Sequence, residues 1–200
     1  MYQLILASES PRRRQLLETS GFVFDVHSVK VSEIPDKNLN IDEQILEIAG
    51  RKAKAAFSEL KQKVSSDFLL LTADTMVVYH NQTLGKPRNA EEAHEFLKLL
   101  SGQTHEVKTG LCVMESTQSR QVSHIETSQV TFRPLSEDDI RTYIQSGEPM
   151  DKAGAYAIQG LGGNFVTKLA GDYDNVVGLP VKAFENLLAK MNWTVKRVKK

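Results

Sequence analysis

The chain has 200 residues, and its 25 Lys plus Arg balance its 25 Asp plus Glu, which excludes a global field for holding a polyanion and counts against stable nucleic-acid binding. With 40% apolar and 25% charged residues, it reads as a single soluble globular domain, 1–200, with room for a sizeable core. The one cysteine, Cys112 in the apolar run LCVM, excludes an intrachain disulfide and reads as a buried structural thiol.

Residues 2–7 predict a short strand. Ser10 then suits an N-cap, with Pro11 at the first helical position and a stop at Gly21. FVFDVHSVKV, 22–31, alternates as a strand does, and the polar loop SEIPDKNLN leads to a long helix at about 42–60. FLLLTAD and MVVY are strand-like and are followed by turn residues HNQT. Asn89 with Glu92 resembles a capping box opening AEEAHEFLKLL, which Gly102 ends. Residues 104–115 and 121–133 predict long antiparallel strands, and Ser136 with Asp139 caps LSEDDIRTYIQS. A Gly-rich segment KAGAYAIQGLGG, a strand NFVTKL, a helix VKAFENLLAKM and a basic tail VKRVKK complete the chain. Interleaved helices and strands with several hairpins imply an α/β fold on a mixed sheet. Nothing resembles a signal peptide or membrane span, since LILA is too short, so the cytoplasm and no membrane partner are expected.

Three arginines, 12–14, follow the strand LILA and the turn SESP at the start of a helix. Cations there oppose the helix dipole, whereas unpaired N–H groups, hydroxyls of Ser8 and Ser10 and guanidinium forks together suit phosphate. Successive helix residues lie about 100° apart. With Leu16 and Leu17 on the buried side, one or two of the arginines should face an anion and one should be solvated. In DEQILEIAGRKAKAAFSEL, helical spacing places Lys52 inside the apolar stripe, with Arg51 and Lys54 outside it. Lys52 either snorkels out along its neighbours, the commoner outcome for a lone lysine, or meets a buried anion. Asp74 interrupts the apolar run FLLLTADTMVVY, where a carboxylate needs a cation, a metal, a raised pKa or a local turn. Lys86 in LGKP occupies a rigid loop tip.

Other chemistries are thinly represented. There is no G-x-x-x-x-G-K-[ST], GLGG does not fit a dinucleotide fingerprint, and the five histidines show no metal-ligand spacing. Basic residues for phosphate, with the isolated acids Glu33 and Asp74 for a hard cation, suit phosphoryl or nucleotidyl transfer.

SESPRRRQLL, Glu33 in VSEIP, the lysine of RKAKA, LTADTMVV, GKPRNAEEA, LSGQTHEVKTG, DKAGAYAIQG and VVGLP together resemble the Maf nucleotide pyrophosphatases, with the blocks in order across 4–180. The resemblance implies a cytoplasmic house-cleaning enzyme that cleaves a nucleoside triphosphate between its α- and β-phosphates with a divalent cation, Mg2+ or Mn2+. It also implies a homodimer, and a mixed, strongly bent sheet flanked by helices, with two lobes around a central cleft, similar to the ITPases. By the same resemblance Ser8, Arg12 and Arg13 bind phosphate, Lys52 and Lys86 face it, Asp74 is the proton acceptor, and Glu33 and Asp74 are candidate metal ligands. Arg12, Thr75 and Gln159 match the branch preferring dTTP and UTP, where relatives preferring 7-methyl-GTP carry tryptophan, glutamine and glutamate. A neutral amide at 159 is compatible with a pyrimidine edge. The rivals are the same reaction on 7-methyl-GTP or non-standard purine triphosphates, and a nucleotide sensor without turnover.

Overall fold

The run QLIL forms β1 (Gln3–Leu6), buried along most of its length. The computed structural model describes residues 1–198. Ser10 caps the next element, α1 (Pro11–Thr19), its hydroxyl accepting from the Arg13 N–H at 3.4 Å, and the chain leaves through Gly21 at φ +77. β2 (Phe24–Val26) is much shorter than the alternation of 22–31 predicts. Its parallel partner β1 ends at Leu6, opposite Val26, and the His27 N–H to Leu6 O bond is the last rung. Beyond that point the chain has no ladder, and it runs as a loop to Asn40.

Asn40 and Glu43 form a reciprocal capping box that starts α2 (Ile41–Lys63), which begins where expected and runs about one turn further at its C-terminal end. FLLLTADTMVVY is one continuous strand, β3 (Phe68–Tyr79), followed by β4 (Gln82–Leu84). At α3 (Ala90–Leu100) the expected box is only half made. Asn89 accepts from the Glu92 N–H, but Glu92 returns its carboxylate to the N–H and side chain of Arg88 rather than to Asn89. β5 (Thr104–Glu115) and β6 (Gln121–Phe132) are the long strands predicted, and α4 (Glu137–Gln145) carries the full Ser136–Asp139 box. Short 3-10 turns occupy the Gly-rich segment between Glu148 and Phe165, ahead of β7 (Val166–Ala170). A short helix that the sequence does not signal, α5 (Tyr173–Val177), precedes α6 (Val181–Lys190).

The strands form a mixed sheet in the order β2-β1-β3-β5-β6-β7, with β4 paired to β3. β1 is parallel to β2 and β3, whereas β3–β4 and β6–β7 are antiparallel. The chain divides into two compact units. The first contains 1–74, 109–126 and the chain from Gly178 onward; the second contains 75–108 and 127–177, so β3, β5 and β6 each contribute to both. The core of the first packs Ala49, Ala53, Ala56, Phe57 and Leu60 of α2 on Ile5, Phe68, Leu70 and Cys112. Cys112 is fully buried, and burial pushes its thiol up to about 11, the inert thiol expected. The core of the second gathers Val77, Leu97, Val130, Phe132, Tyr143, Tyr156 and Phe165.

Val195 and Arg197 of the basic tail pair with the first unit. Tyr2 bridges Val195, Phe22 bridges Arg197, and the Arg197 guanidinium lies 4.0 Å from the centre of the Phe22 ring while pairing with Glu185 at 2.7 Å. Lys199 and Lys200, the end of the basic run, lie outside the described residues.

Candidate active site

Asp74 and Lys52 meet because two periodicities coincide. On α2, residues 49 and 52 share a face; on β3, residues 72 and 74 do. The buried Thr72 hydroxyl donates to Ala49 O at 2.8 Å, which sets the helix against the strand one rung before the charged pair. On the next rung the Lys52 ammonium donates to Asp74 Oδ1 at 2.7 Å, and a second acid, Glu33 from the loop after β2, comes within 2.6 Å of the same nitrogen. The Lys52 and Asp74 side chains are 12% and 11% exposed, that of Glu33 50%. Lys52 therefore meets anions rather than snorkelling. Asp74 sits in a strand, not in a local turn, and has the cation that its apolar setting requires.

Burial raises the Asp74 pKa, against the opposing pull of Lys52 and Arg13. Desolvation pulls the Arg13 guanidinium below its usual value, and the charges of Asp74 and Glu33 push it back. Arg13 thus belongs electrostatically to the same cluster. Its Nε donates to Gly178 O at 2.7 Å, and Gly178 adopts φ +124, a conformation that favours glycine and gives a reason for the glycine in VVGLP. Arg14 is exposed, as one of the three arginines should be, and Arg12 is half-buried, with no hydrogen-bond or ion-pair partner among the described residues. The Ser8 hydroxyl accepts from the Ser10 N–H at 3.2 Å, shaping the turn that enters α1.

Two carboxylates that converge on one ammonium offer two hard oxygen donors, and no group of three or more His, Cys, Asp or Glu that could hold a metal occurs among the described residues. Mg2+ is commonly held by one or two carboxylates plus substrate phosphates. The donor set fits a cation that shares phosphate oxygens, rather than a closed protein cage. Four of the five histidines pair elsewhere: His27 with Glu59, His94 with Glu137, His124 with Glu126 and His105 with Tyr156, while His80 lies against the Tyr79 ring.

A family model described as Maf-like protein matches residues 3–191. The chain belongs to the Maf family. It is 56% identical to a dTTP/UTP pyrophosphatase of Bdellovibrio bacteriovorus over 187 residues, 94% of this chain and 97% of that protein. It is 46% identical to one from Alkaliphilus oremlandii over 181 residues, 90% and 92% of the two chains. A solved nucleoside-triphosphatase / dITP/XTP pyrophosphatase from Mycobacterium abscessus covers 95% of this chain and 94% of its own at TM-score 0.41 and 12% identity, too remote a likeness to carry weight.

Of the residues singled out in this Maf sequence, Ser8, Arg12, Arg13, Glu33, Lys52 and Asp74 lie in the first unit, and Arg13, Glu33, Lys52 and Asp74 share one charge cluster. Thr75, Lys86 and Gln159 belong to the second. Thr75 is half-buried on β3, Lys86 is exposed between β4 and α3, and Gln159 is exposed on the Gly-rich segment. Thr72, which sets α2 against β3, and Gly178, whose carbonyl takes the Arg13 Nε, were not singled out for the cluster. Only Thr72 had a readable signal, a hydroxyl two residues before a buried acid.

Proposed function

We propose that this chain is a nucleoside triphosphate pyrophosphatase that hydrolyses dTTP and UTP to the monophosphate and pyrophosphate. The observation that carries the reading is the pair of acids on the Lys52 ammonium beside Arg13 and a helix N-terminus; the names of its relatives supply the substrates. Water attacks the α-phosphorus, the bond from that phosphorus to the α–β bridging oxygen breaks, and Asp74 takes the proton. A carboxyl whose pKa is raised by burial is a better proton acceptor than a solvated aspartate. Lys52, Arg13 and Arg12 share the charge of the phosphate oxygens, and the Ser8 turn presents the start of α1 to them. A divalent cation, Mg2+ or Mn2+, held by Glu33 and Asp74, supplies charge neutralisation and a more acidic attacking water when bound.

By family resemblance Lys86 serves the phosphates, and Arg12, Thr75 and Gln159 set the base preference. The same reading carries a cytoplasmic homodimer that binds neither membrane nor nucleic acid stably. No helix among the described residues is long and apolar enough to cross a membrane.

The test is a panel of nucleoside triphosphates with pyrophosphate detection and the metal varied. Metal-dependent pyrophosphate from dTTP and UTP is the expected result. A preference for 7-methyl-GTP overturns the base assignment, and saturable binding with no product overturns the enzyme.

A further inference from the structure

Glu33 reaches Lys52 from a loop that has neither helix nor strand to hold it. The half-exposed ion pair to Lys52 does little by itself to order such a segment. The backbone on both sides of Glu33 is held by one side chain. The Arg51 guanidinium donates through Nη1 to Ser32 O, and through Nη1 and Nη2 to Ile34 O, both at 3.4 Å. Its remaining edge is fixed one helical turn back, where Nε donates to Glu47 Oε1 at 3.1 Å and Nη2 to Glu47 Oε2. Adjacent residues of α2 therefore grip the same loop residue in two ways: Arg51 by the carbonyls that bracket it, Lys52 by its carboxylate.

We propose that Arg51, oriented by Glu47, is a positioning residue that latches the 28–39 loop so that Glu33 stays in the Lys52–Asp74 cluster. This rests on the proposed function, in which Glu33 serves the metal and phosphates. The role requires a planar fork. Lysine at 51 has a single donor nitrogen and cannot hold both carbonyls while also being held by Glu47.

The test uses the full chain with Arg51→Ala, Arg51→Lys, Glu33→Gln and the double variant Arg51→Ala/Glu33→Gln. Two readouts are taken: dTTP kinetics with Mg2+ titrated, and amide hydrogen exchange. Arg51→Ala is expected to reduce kcat/KM about tenfold and to raise the Mg2+ concentration needed for half-maximal rate. The double variant is expected to be no slower than Glu33→Gln within twofold, because the latch acts only through that acid. Amides of 29–38 exchange at least tenfold faster in Arg51→Ala while those of α2 do not, and Arg51→Lys falls between Arg51→Ala and the unsubstituted chain in both readouts. Losses that multiply in the double variant, or unchanged exchange in the loop, overturn the latch. If the unsubstituted chain releases no pyrophosphate, the functional reading fails, and the exchange measurement still decides the latch.

Discussion

Two segments of this chain place an acid in a region without regular ladders, and they do so by opposite means. In the first unit, the loop around Glu33 is held by cations: Lys52 takes the carboxylate and Arg51 takes the flanking carbonyls. In the second unit, Glu148 accepts the N–H groups of Leu161 and Gly162 at 3.0 and 3.2 Å and the Tyr143 O–H at 2.8 Å. Burial raises the Glu148 pKa, but those donors outweigh it and hold the carboxyl below its ordinary range. The Tyr143 oxygen also accepts the Ala157 N–H at 3.1 Å, so Glu148 and Tyr143 together brace the segment that carries the exposed Gln159. An acid facing ammonium and guanidinium groups can be re-partnered when a polyanion or a metal arrives. An acid that has given its lone pairs to backbone N–H groups cannot, and serves as a fixed brace.

The comparison breaks first at Asp74, the acid in the charged cluster with the most chemistry to lose. Asp74→Asn is expected to lower pyrophosphate release about a thousandfold or more, as for loss of a general base, while the urea midpoint at neutral pH stays equal or rises. The sign follows from the raised pKa. Its ionised form destabilises the folded state above the unfolded value, and asparagine removes that cost while Lys52 keeps Glu33. For the unsubstituted chain, the acid limb of kcat/KM is expected above the ordinary aspartate range. Near-normal turnover in Asp74→Asn removes Asp74 from the chemistry.

The next largest effect belongs to the second unit. Burial lowers the His105 pKa from 6.5 to about 4, and its Nε2 lies 2.8 Å from the hydroxyl of Tyr156, another member of the Gly-rich segment. A histidine with a depressed folded pKa contributes stability that is complete above about pH 6.5 and is lost as the pH falls toward 4, roughly 3 kcal/mol in all. Asp74 titrates with the opposite sign, so the measurement is the difference in urea midpoints between the unsubstituted chain and His105→Gln across that range. A difference that stays flat with pH removes the effect. Smaller again is Gly160→Ala. A Cβ there would overlap the Glu148 carboxylate, which cannot withdraw without dropping its three donors. About 2 kcal/mol of destabilisation is expected in urea or thermal unfolding.

The first segment's chemistry was more legible in the sequence than its architecture. A lysine inside an apolar helical stripe and an aspartate inside an apolar strand each announce a missing partner, because periodicity fixes the face on which a side chain lies. The structure supplies each with the other. Ser10, Asn89, Ser136 and Gly102 were readable for the same local reason: caps and stops are decided within four residues. Glu33 stood out as an isolated acid, but its meeting with Arg51 was not readable, because it depends on where a ladder-free loop lands on a helix about twenty residues later in the chain. β2 ends early for a similar reason, since the length of β1 decides how many rungs it can have. At Glu92 a local rule was overruled by a neighbour, Arg88, whose N–H and guanidinium compete for the same carboxylate. The candidates in the second unit, Thr75, Lys86 and Gln159, carried no charge-partner signal of their own and stood out only within family blocks.

The smallest effect separates glycines that the fold requires from one that it tolerates. Gly160 faces a carboxylate and Gly178 holds a positive φ, but Gly50, two residues before Lys52 in α2, does neither. It is buried, yet a Cβ would meet only the end of the Gln121 side chain, at an ordinary 3.6 Å. Glycine in a helix interior costs about 1 kcal/mol relative to alanine. Gly50→Ala is therefore expected to stabilise the chain by up to about 1 kcal/mol, read as a higher urea midpoint with an unchanged slope. A loss of stability would mean that α2 packs more tightly at this point than the Gln121 contact indicates. A gain accompanied by slower turnover would mean that the helix must flex at this glycine for Lys52 to exchange Asp74 and Glu33 for phosphate.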